Sequence, residues 1–413
     1  MTSAVARPGP EVRQYLLVTG NYWAFTLTDG ALRMLVVLHF HSLGYSPLQI
    51  AALFLFYEIF GVITNLFGGY LGARLGLNRT MNIGLALQVG ALLMLTVPAA
   101  MLSVPWVMAA QALSGVAKDL NKMSAKSSIK LLVPDTAQGA LYQWVAILTG
   151  SKNALKGVGF FLGGALLALM GFTGAVLAMA GVLALIWVGS LILLRKDLGK
   201  AKVRPKFRDL LSRSRAINVL SGARLFLFGA RDVWFVVALP VYLSTVFGWD
   251  FWQVGGFLAA WIIGYGMVQS AAPAITGKAQ GRVPDGRSAL VWALILAGLP
   301  AAIAVGLQAS LDPQWVLLGG LMLFGAVFAV NSSLHSYLIV SWARSDGVSL
   351  DVGFYYMSNA LGRLLGTLLS GWIYQTRGLE ACLWVSTLFL LATAAISVRL
   401  PRPPSASHAP EST

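Results

Sequence analysis

Two lysines, Lys152 and Lys156, interrupt an apolar run that extends from residue 140 to residue 169. Because they are four residues apart, they share one face of a helix, where two ammonium groups repel each other. A charged side chain at the centre of a membrane helix costs about 2.5–3.5 kcal/mol, and such residues usually face a cavity or a partner. The pair therefore predicts a binding site for an anion.

Ionisable residues in other apolar runs could complete this site. Away from the ends of the predicted spans, the sequence has Asp29, Arg33, Glu58, Lys118, Asp119, Arg224, Arg231, Asp232 and Arg363. With the two lysines they make seven positive and four negative groups, so complete internal pairing leaves a positive surplus. Each could instead form a structural ion pair between helices, and Asp29 is expected to pair with Arg33, four residues later. Arg231 and Asp232 are adjacent and should point apart on a helix.

The side-chain chemistry favours a small polyanion as the ligand. Arginine suits bidentate recognition of phosphate-like groups, whereas lysine acts as a point charge. His335, in a polar segment of the tenth span, could be a structural hydrogen-bond donor or a proton carrier. The predicted substrate-binding residues are Arg33, Lys118, Lys152, Lys156, Arg224, Arg231, Tyr355, Asn359 and Arg363. Asp29 and Glu58 are the candidates for proton coupling. Burial favours the protonated form of a carboxyl group, whereas a neighbouring cation favours its ionised form, so movement of the cation can change the proton occupancy.

A second pattern is a stripe of lysines in the fourth span and just beyond it. Lys118, Lys122, Lys126 and Lys130 recur at every fourth position and therefore lie on one helical face. The stripe could form a basic access path from the cytoplasm, or it could contact anionic lipid headgroups. The sequence leaves both alternatives open.

Composition determines the class of protein in which these charges lie. The chain has 413 residues, of which 57% are hydrophobic and 11% charged, and its mean hydropathy is +0.73. These values predict an all-α membrane protein that crosses the bilayer many times. The net charge of +15 comes mostly from basic residues in short loops, which favours membrane topology over binding to nucleic acid. The single cysteine, Cys382, excludes an intrachain disulfide, and no metal site, cofactor or catalytic residue is expected.

Windows of about twenty apolar residues predict twelve transmembrane helices. They lie near residues 15–41, 47–71, 80–101, 104–125, 140–169, 172–194, 216–246, 250–275, 287–309, 313–342, 350–376 and 379–398. Successive loops are alternately rich and poor in basic residues, and the loops of the poor set hold only one basic residue, Arg377. By the positive-inside rule, both termini and the central loop are cytoplasmic.

The twelve spans divide into two halves of similar length, which indicates two six-helix pseudo-repeats. We expect an N-terminal bundle (1–195), a basic cytoplasmic linker (196–215), a C-terminal bundle (216–400) and a cytoplasmic tail (401–413). A shift of about 204 residues aligns Gln49 with Gln253 and Asn65 with Gln269, which supports the duplication. A monomer is expected.

The loop between the second and third spans resembles a known signature. Residues 69–76, Gly-Tyr-Leu-Gly-Ala-Arg-Leu-Gly, are similar to the loop motif of the major facilitator superfamily, in which an aspartate usually precedes the basic residue. Here Ala73 takes the place of that aspartate, which puts the charge-relay role of the loop in doubt but not the fold. The resemblance implies a transporter whose first, fourth, seventh and tenth spans line a central cavity.

Four segments resemble a narrower family, the organoarsenical efflux permeases of bacterial arsenic-resistance operons. They are residues 21–33, the lysine stripe through Lys130, the segment around Lys152 and Lys156, and residues 223–235. The resemblance implies export of 1-arseno-3-phosphoglycerate across the bacterial inner membrane. It also implies a functional partner, glyceraldehyde-3-phosphate dehydrogenase, which forms that compound when it uses arsenate in place of phosphate.

Other functions remain as alternatives. An organophosphate or sugar-phosphate carrier of the same fold would use the same basic residues. A transporter-like anion sensor would need an output domain, for which the short tail and the central loop leave little room. A membrane enzyme is disfavoured because no catalytic triad, metal-ligand spacing or paired-carboxylate motif is evident, and no Walker-type loop is present.

Overall fold

A computed structural model describes residues 10–45, 53, 55–98, 101–134, 136–194, 198–202, 212, 214–277, 283–309 and 311–401 of the protein. These residues form eleven helices and no strands. We label the helices α1 (Pro10–Ser42), α2 (Leu55–Leu75), α3 (Leu77–Met94), α4 (Val104–Leu132), α5 (Gln138–Leu193), α6 (Arg215–Phe235), α7 (Ala238–Thr245), α8 (Phe251–Ile275), α9 (Gly286–Gln308), α10 (Pro313–Trp342) and α11 (Val348–Ser397).

Two of these helices each consist of two segments that meet at a glycine. Gly171 in α5 has φ 67° and ψ −179°, and Gly378 in α11 has φ 78° and ψ −176°. This left-handed region is open to glycine at little steric cost. The breaks fall at the predicted boundaries between the fifth and sixth spans and between the eleventh and twelfth.

The predicted seventh span, 216–246, is divided in the structure. The helix α6 ends at Phe235, and α7 begins at Ala238. Among the described residues, six helical stretches are long and apolar enough to cross a membrane. Charged residues such as Asp29 in α1 and Lys118 in α4 make other helices more polar. The count of twelve spans stays a prediction.

Buried apolar side chains form two clusters. One extends through the N-terminal helices and includes Ala272, Val330 and Tyr337 from the C-terminal helices. The other lies within the C-terminal helices and includes Trp234 and Phe324. The first core therefore continues from the N-terminal half into the C-terminal half, and only the second lies within one half.

Glycines allow the two halves to approach closely. A Cβ added to Gly266 of α8 would lie 2.3 Å from the backbone nitrogen of Ala154 in α5. A Cβ on Gly353 of α11 would lie 2.8 Å from the carbonyl oxygen of Asn65 in α2. At Gly255, near the other end of α8, an added Cβ would meet no described atom within 4 Å. The halves therefore touch where α8 packs on α5 and where α11 packs on α2.

Residues of the central linker pack at the end where the halves meet. The backbone nitrogen of Leu77 donates to Leu198 (2.8 Å), and that of Ala201 donates to the carbonyl of Ala73 (2.8 Å). The backbone nitrogen of Lys202 donates to Asp346 Oδ1 at 2.9 Å. Ala73, which replaces the usual aspartate of the loop signature, thus contributes a backbone contact to the linker.

Candidate anion-binding site

On the N-terminal side of the site, several charged residues contact one aromatic side chain, that of Tyr57. Its hydroxyl donates to Asp29 Oδ1 at 2.7 Å. The Lys118 ammonium lies 3.7 Å from the centroid of the Tyr57 ring, and the Arg33 guanidinium lies 4.7 Å from it. Lys156 Nζ is 4.0 Å from Asp29 Oδ2. Helices α1, α2, α4 and α5 therefore bring three of the predicted binding residues and one predicted coupling residue together.

These contacts change the expected partner of Asp29. Within the described contacts, its carboxylate meets Tyr57 and Lys156, while Arg33 stacks on the Tyr57 ring. The predicted Asp29–Arg33 pair is thus replaced by contacts to two other helices. Backbone packing explains why Lys156 is so near, because a Cβ added to Gly30 would lie 2.7 Å from the Lys156 carbonyl oxygen.

The lysine stripe of α4 faces the interior rather than the lipid. Lys126 is 4% exposed and Lys130 is 9% exposed. Lys126 donates to the hydroxyl of Tyr356 in α11, and Lys130 Nζ donates to the Ser341 carbonyl of α10 at 3.1 Å. Contact with lipid headgroups is therefore excluded for these two lysines in this conformation. The access-path alternative agrees with their positions.

Lys122 connects a buried acid of α4 to the opposite half. Its ammonium is 2.6 Å from Asp119 Oδ1 and 5.0 Å from the centroid of the Tyr356 ring. Asp119 is fully buried and also accepts from Thr64 Oγ1 at 3.3 Å. A lysine that holds both a carboxylate and an aromatic face has little freedom to leave the site.

Electrostatic interactions join these residues into one group. Lys152 interacts with Asp29 and with the lysines of the α4 stripe as far as Lys126, and Lys156 interacts with Arg33. Lys126 in turn interacts with Arg224 of α6. We call this group the basic cluster; it comprises Arg33, Lys118, Lys122, Lys126, Lys152, Lys156 and Arg224. Asp29 and Asp119 are its described acids, so the basic groups outnumber the acidic ones among the described residues of the cluster.

Arg224 is the contribution of the C-terminal half to the basic cluster. Its side chain is 2% exposed; Nε donates to Asn359 Oδ1 at 2.9 Å, and Nη1 donates to the Ser332 carbonyl at 3.4 Å. The guanidinium also lies 3.9 Å from the centroid of Phe228 and 5.2 Å from that of Tyr355. The predicted binding residues Tyr355 and Asn359 are thus neighbours of Arg224.

Arg231 and Arg363 form a separate group around Asp232. Arg231 Nε donates to Asp232 Oδ1 at 2.6 Å, and Arg363 Nε donates to Asp232 Oδ2 at 3.0 Å. The prediction that Arg231 and Asp232 point apart is wrong, because the long arginine side chain bends back to the adjacent carboxylate. Asp232 is fully buried, whereas both arginines are partly exposed. Tyr265 interacts electrostatically with both Arg231 and Arg224 and lies between the two groups.

His335 lies in the polar segment of α10 and is fully buried. Neither of its ring nitrogens has a hydrogen-bond partner among the described residues, and the Arg224 charge acts on it. The described part of the chain therefore does not provide the partner that a structural donor requires. Glu58 belongs to α2, but its side chain lies outside the described residues, so its predicted role stays a prediction.

Sequence reasoning indicated Tyr355 but missed Tyr57 and Tyr356. Tyr57 and Tyr356 support four cations of the basic cluster, yet a tyrosine in a membrane span carries no distinctive signal. The spacing of the α4 stripe already indicated Lys122 and Lys126, although not the direction in which they face. Asn153 and Gln269, which bond to each other at 2.6 Å, also escaped notice.

Comparison with known families determines the class of the protein. Residues 16–284 and 264–413 match the sequence profile of the Major Facilitator Superfamily. The chain belongs to this superfamily. It is therefore a multi-pass membrane protein with a transporter fold, in agreement with the two-bundle architecture and the loop signature.

Solved transporter structures share the fold of this major facilitator protein. The human organic anion transporter MFSD10 (TETRAN) superposes with a TM-score of 0.74 at 19% identity, covering 94% of this chain and 100% of its own. The E. coli transporter FucP in the outward conformation gives 0.71 at 13% identity, covering 94% and 99%. A bacterial homologue of the iron transporter ferroportin in the outward-facing state gives 0.71 at 14% identity, covering 94% and 98%. Comparison with curated protein sequences gives no match.

Proposed function

We propose that this protein is a secondary transporter that exports a small organic polyanion, with 1-arseno-3-phosphoglycerate as the substrate, and thereby confers resistance to arsenate. The observation that carries the proposal is the basic cluster, in which seven basic residues from both halves accompany two described carboxylates. A buried surplus of positive charge is costly unless an anion compensates it. A phosphorylated and arsenylated three-carbon acid has an anionic group at each end.

The position of the cluster supports transport by alternating access. Lys152 and Lys156 belong to the N-terminal half, whereas Arg224 belongs to the C-terminal half. An anion that contacts both sets favours their approach and can shift the equilibrium between conformations. For the anion to enter from the end where the two halves meet, the contacts of Lys126 with Tyr356 and of Lys130 with Ser341 must open. In this proposal that end is cytoplasmic, and the protein lies in the bacterial inner membrane.

The arsenic chemistry and the direction of transport rest on the family resemblance of the segments around Lys118–Lys130 and Lys152–Lys156. Glyceraldehyde-3-phosphate dehydrogenase is the functional partner, because it would supply the substrate inside the cell. The likeness to the organic anion transporter MFSD10 supports only the fold.

The direct test is the arsenate sensitivity of cells that express this chain with and without the dehydrogenase. We expect protection only when both are present, and loss of protection in the Lys152→Gln variant at equal membrane abundance. Protection without the dehydrogenase, or no protection by wild type, would contradict the specific substrate.

A second candidate is an organophosphate or sugar-phosphate carrier of the same fold. The basic cluster favours it equally, since phosphate esters need the same cations. Transport of several phosphorylated acids by reconstituted vesicles, without any arsenic compound, would support this carrier instead. An anion sensor is the least favoured function.

A further inference from the structure

A chain of hydrogen bonds leads from Lys152 across the contact between the two halves. Lys152 Nζ donates to Asn153 Oδ1 at 3.2 Å, and Asn153 Nδ2 donates to Gln269 Oε1 at 2.6 Å. Gln269 Nε2 then donates to Ser332 Oγ at 3.0 Å. The carbonyl of Ser332 accepts from Arg224. The chain thus leads from a cation of the N-terminal half to the Ser332 hydroxyl, and a cation of the C-terminal half holds the backbone carbonyl of the same residue.

The ammonium group of Lys152 determines the direction of the side-chain bonds from Lys152 to Ser332. An ammonium can only donate, so the oxygen of Asn153 must face it and the amide nitrogen must face Gln269. Gln269 must then accept through its oxygen and donate through its nitrogen to Ser332. Bonds aligned in this way polarise one another in a low-dielectric interior. Gln269 and Ser332 are fully buried, so water does not compete for the bond between them.

Close helix packing makes the crossing between halves possible. A Cβ added to Gly150 of α5 would lie 2.4 Å from the backbone nitrogen of Ser270 in α8. A Cβ added to Gly266 would lie 2.3 Å from the nitrogen of Ala154. Because these backbones are in contact, the short side chain of Asn153 reaches Gln269 directly.

We propose that Asn153 and Gln269 are positioning residues that aim the Lys152 ammonium at the transported anion. The inference rests on the proposed function, since it takes the anion at Lys152 as given. An ammonium has three donors on a flexible four-carbon stem. Fixing one donor on Asn153 restricts the directions of the other two, which reduces the entropy lost when the anion binds. Neither amide needs to touch the anion.

The experiment compares three variants in everted membrane vesicles. Gln269→Met removes the bonds to Asn153 and Ser332 with little change in size. The double variant Asn153→Gln with Gln269→Asn moves one methylene across the contact and keeps both amides. Tyr142→Phe is the matched control, because it removes the hydrogen bond of Tyr142 to Thr276 (3.0 Å) at the same α5–α8 contact without a link to a lysine.

The readout is the initial rate of dehydrogenase-dependent arsenic uptake as a function of arsenate concentration, normalised to folded protein. We expect Gln269→Met to raise the half-saturating concentration about two- to tenfold, the effect of losing one or two hydrogen bonds. Its limiting rate should change little. Tyr142→Phe should match wild type, and the double variant should recover most of the loss.

Equal half-saturation for Gln269→Met and Tyr142→Phe would overturn the inference, and so would a double variant no better than Gln269→Met. If wild-type vesicles take up no arsenic, the proposed substrate is wrong. The readout is then the binding of 3-phosphoglycerate to the purified protein, which is measured as a rise in the midpoint of thermal unfolding. The same order of the variants in that assay would support the positioning role. An unchanged stabilisation by 3-phosphoglycerate in Gln269→Met, or none in wild type, would overturn it.

Discussion

Tyr57 contributes two different interactions to the basic cluster through one side chain. Its hydroxyl holds Asp29 at 2.7 Å, while its ring supports Lys118 and Arg33. A hydrogen bond to a charged group contributes about 1.5–3 kcal/mol, and a cation–π contact about 0.5–2 kcal/mol. The two contributions can be separated by substitution.

We predict that Tyr57→Phe weakens transport moderately and Tyr57→Leu weakens it much more. The phenylalanine keeps the ring beneath Lys118 and Arg33 and loses only the hydrogen bond to Asp29. The leucine loses both. Initial transport rates at equal protein abundance check the order, and equal rates for the two variants would show that the ring is unimportant.

Arginine geometry leads to a second prediction at the residue scale. Arg363 and Arg231 both engage Asp232 through Nε and still expose part of their guanidinium groups. An ammonium cannot hold Asp232 and an anion in the same geometry, because it lacks the planar fork of donors. We expect Arg231→Lys and Arg363→Lys to reduce transport substantially. Normal transport by both variants would assign these arginines a structural role only.

At the scale of helices, backbone contact between the halves depends on small residues. Gly266 and Gly264 lie on the same helix, α8, but in different surroundings. A Cβ at position 266 would meet backbone atoms of Ala154 and Gly150 at 2.3 and 2.6 Å, whereas one at position 264 would meet no described atom within 4 Å. The two glycines therefore form a matched pair.

We predict that Gly266→Ala destabilises the protein and that Gly264→Ala does not. Overpacking of a close contact costs about 1–3 kcal/mol, because backbone cannot move aside as a side chain can. Thermal unfolding in detergent should show a lower midpoint for Gly266→Ala only. Equal midpoints for the two variants would mean that the α5–α8 contact is looser than the structure indicates.

Helix positions were largely predictable from the sequence, but side-chain pairing was not. The breaks at Gly171 and Gly378 fall where apolar windows predicted span boundaries, since glycine and loop chemistry are local signals. The break after Phe235 was missed, although Pro240 is a local signal for it, because a proline has no backbone N–H and its ring crowds the carbonyl of residue 236. The Lys126–Tyr356 contact joins residues 230 positions apart, and no helical period encodes a partner at that separation.

At the scale of the whole molecule, the two halves meet at one end and share the basic cluster between them. The proposed export requires an energy source, and the sequence shows no ATP-binding loop. Asp29 is buried and contacts Tyr57 and Lys156, and we propose it as the group that carries the coupled proton when an anion draws Lys156 away. A membrane potential acting on a polyanion is the alternative driving force.

We therefore predict that a pH gradient drives transport in vesicles whose membrane potential is clamped. Asp29→Asn and Glu58→Gln remove the two carboxylates proposed for coupling and should reduce the response to the gradient. A wild-type protein that ignores the gradient, or two variants that respond fully, would contradict proton coupling and leave the membrane potential as the driving force.

The central claim is that Lys152 binds the exported anion at the contact between the halves. The most direct measurement is accumulation of arsenic by everted vesicles supplied with arsenate, glyceraldehyde 3-phosphate, its dehydrogenase and the oxidised nicotinamide cofactor. We predict uptake by wild type only with the complete mixture, and a loss of about tenfold or more in Lys152→Gln, as expected when a charge-assisted contact is removed. Uptake that ignores the dehydrogenase, or that is unchanged in Lys152→Gln at equal abundance, would contradict the claim.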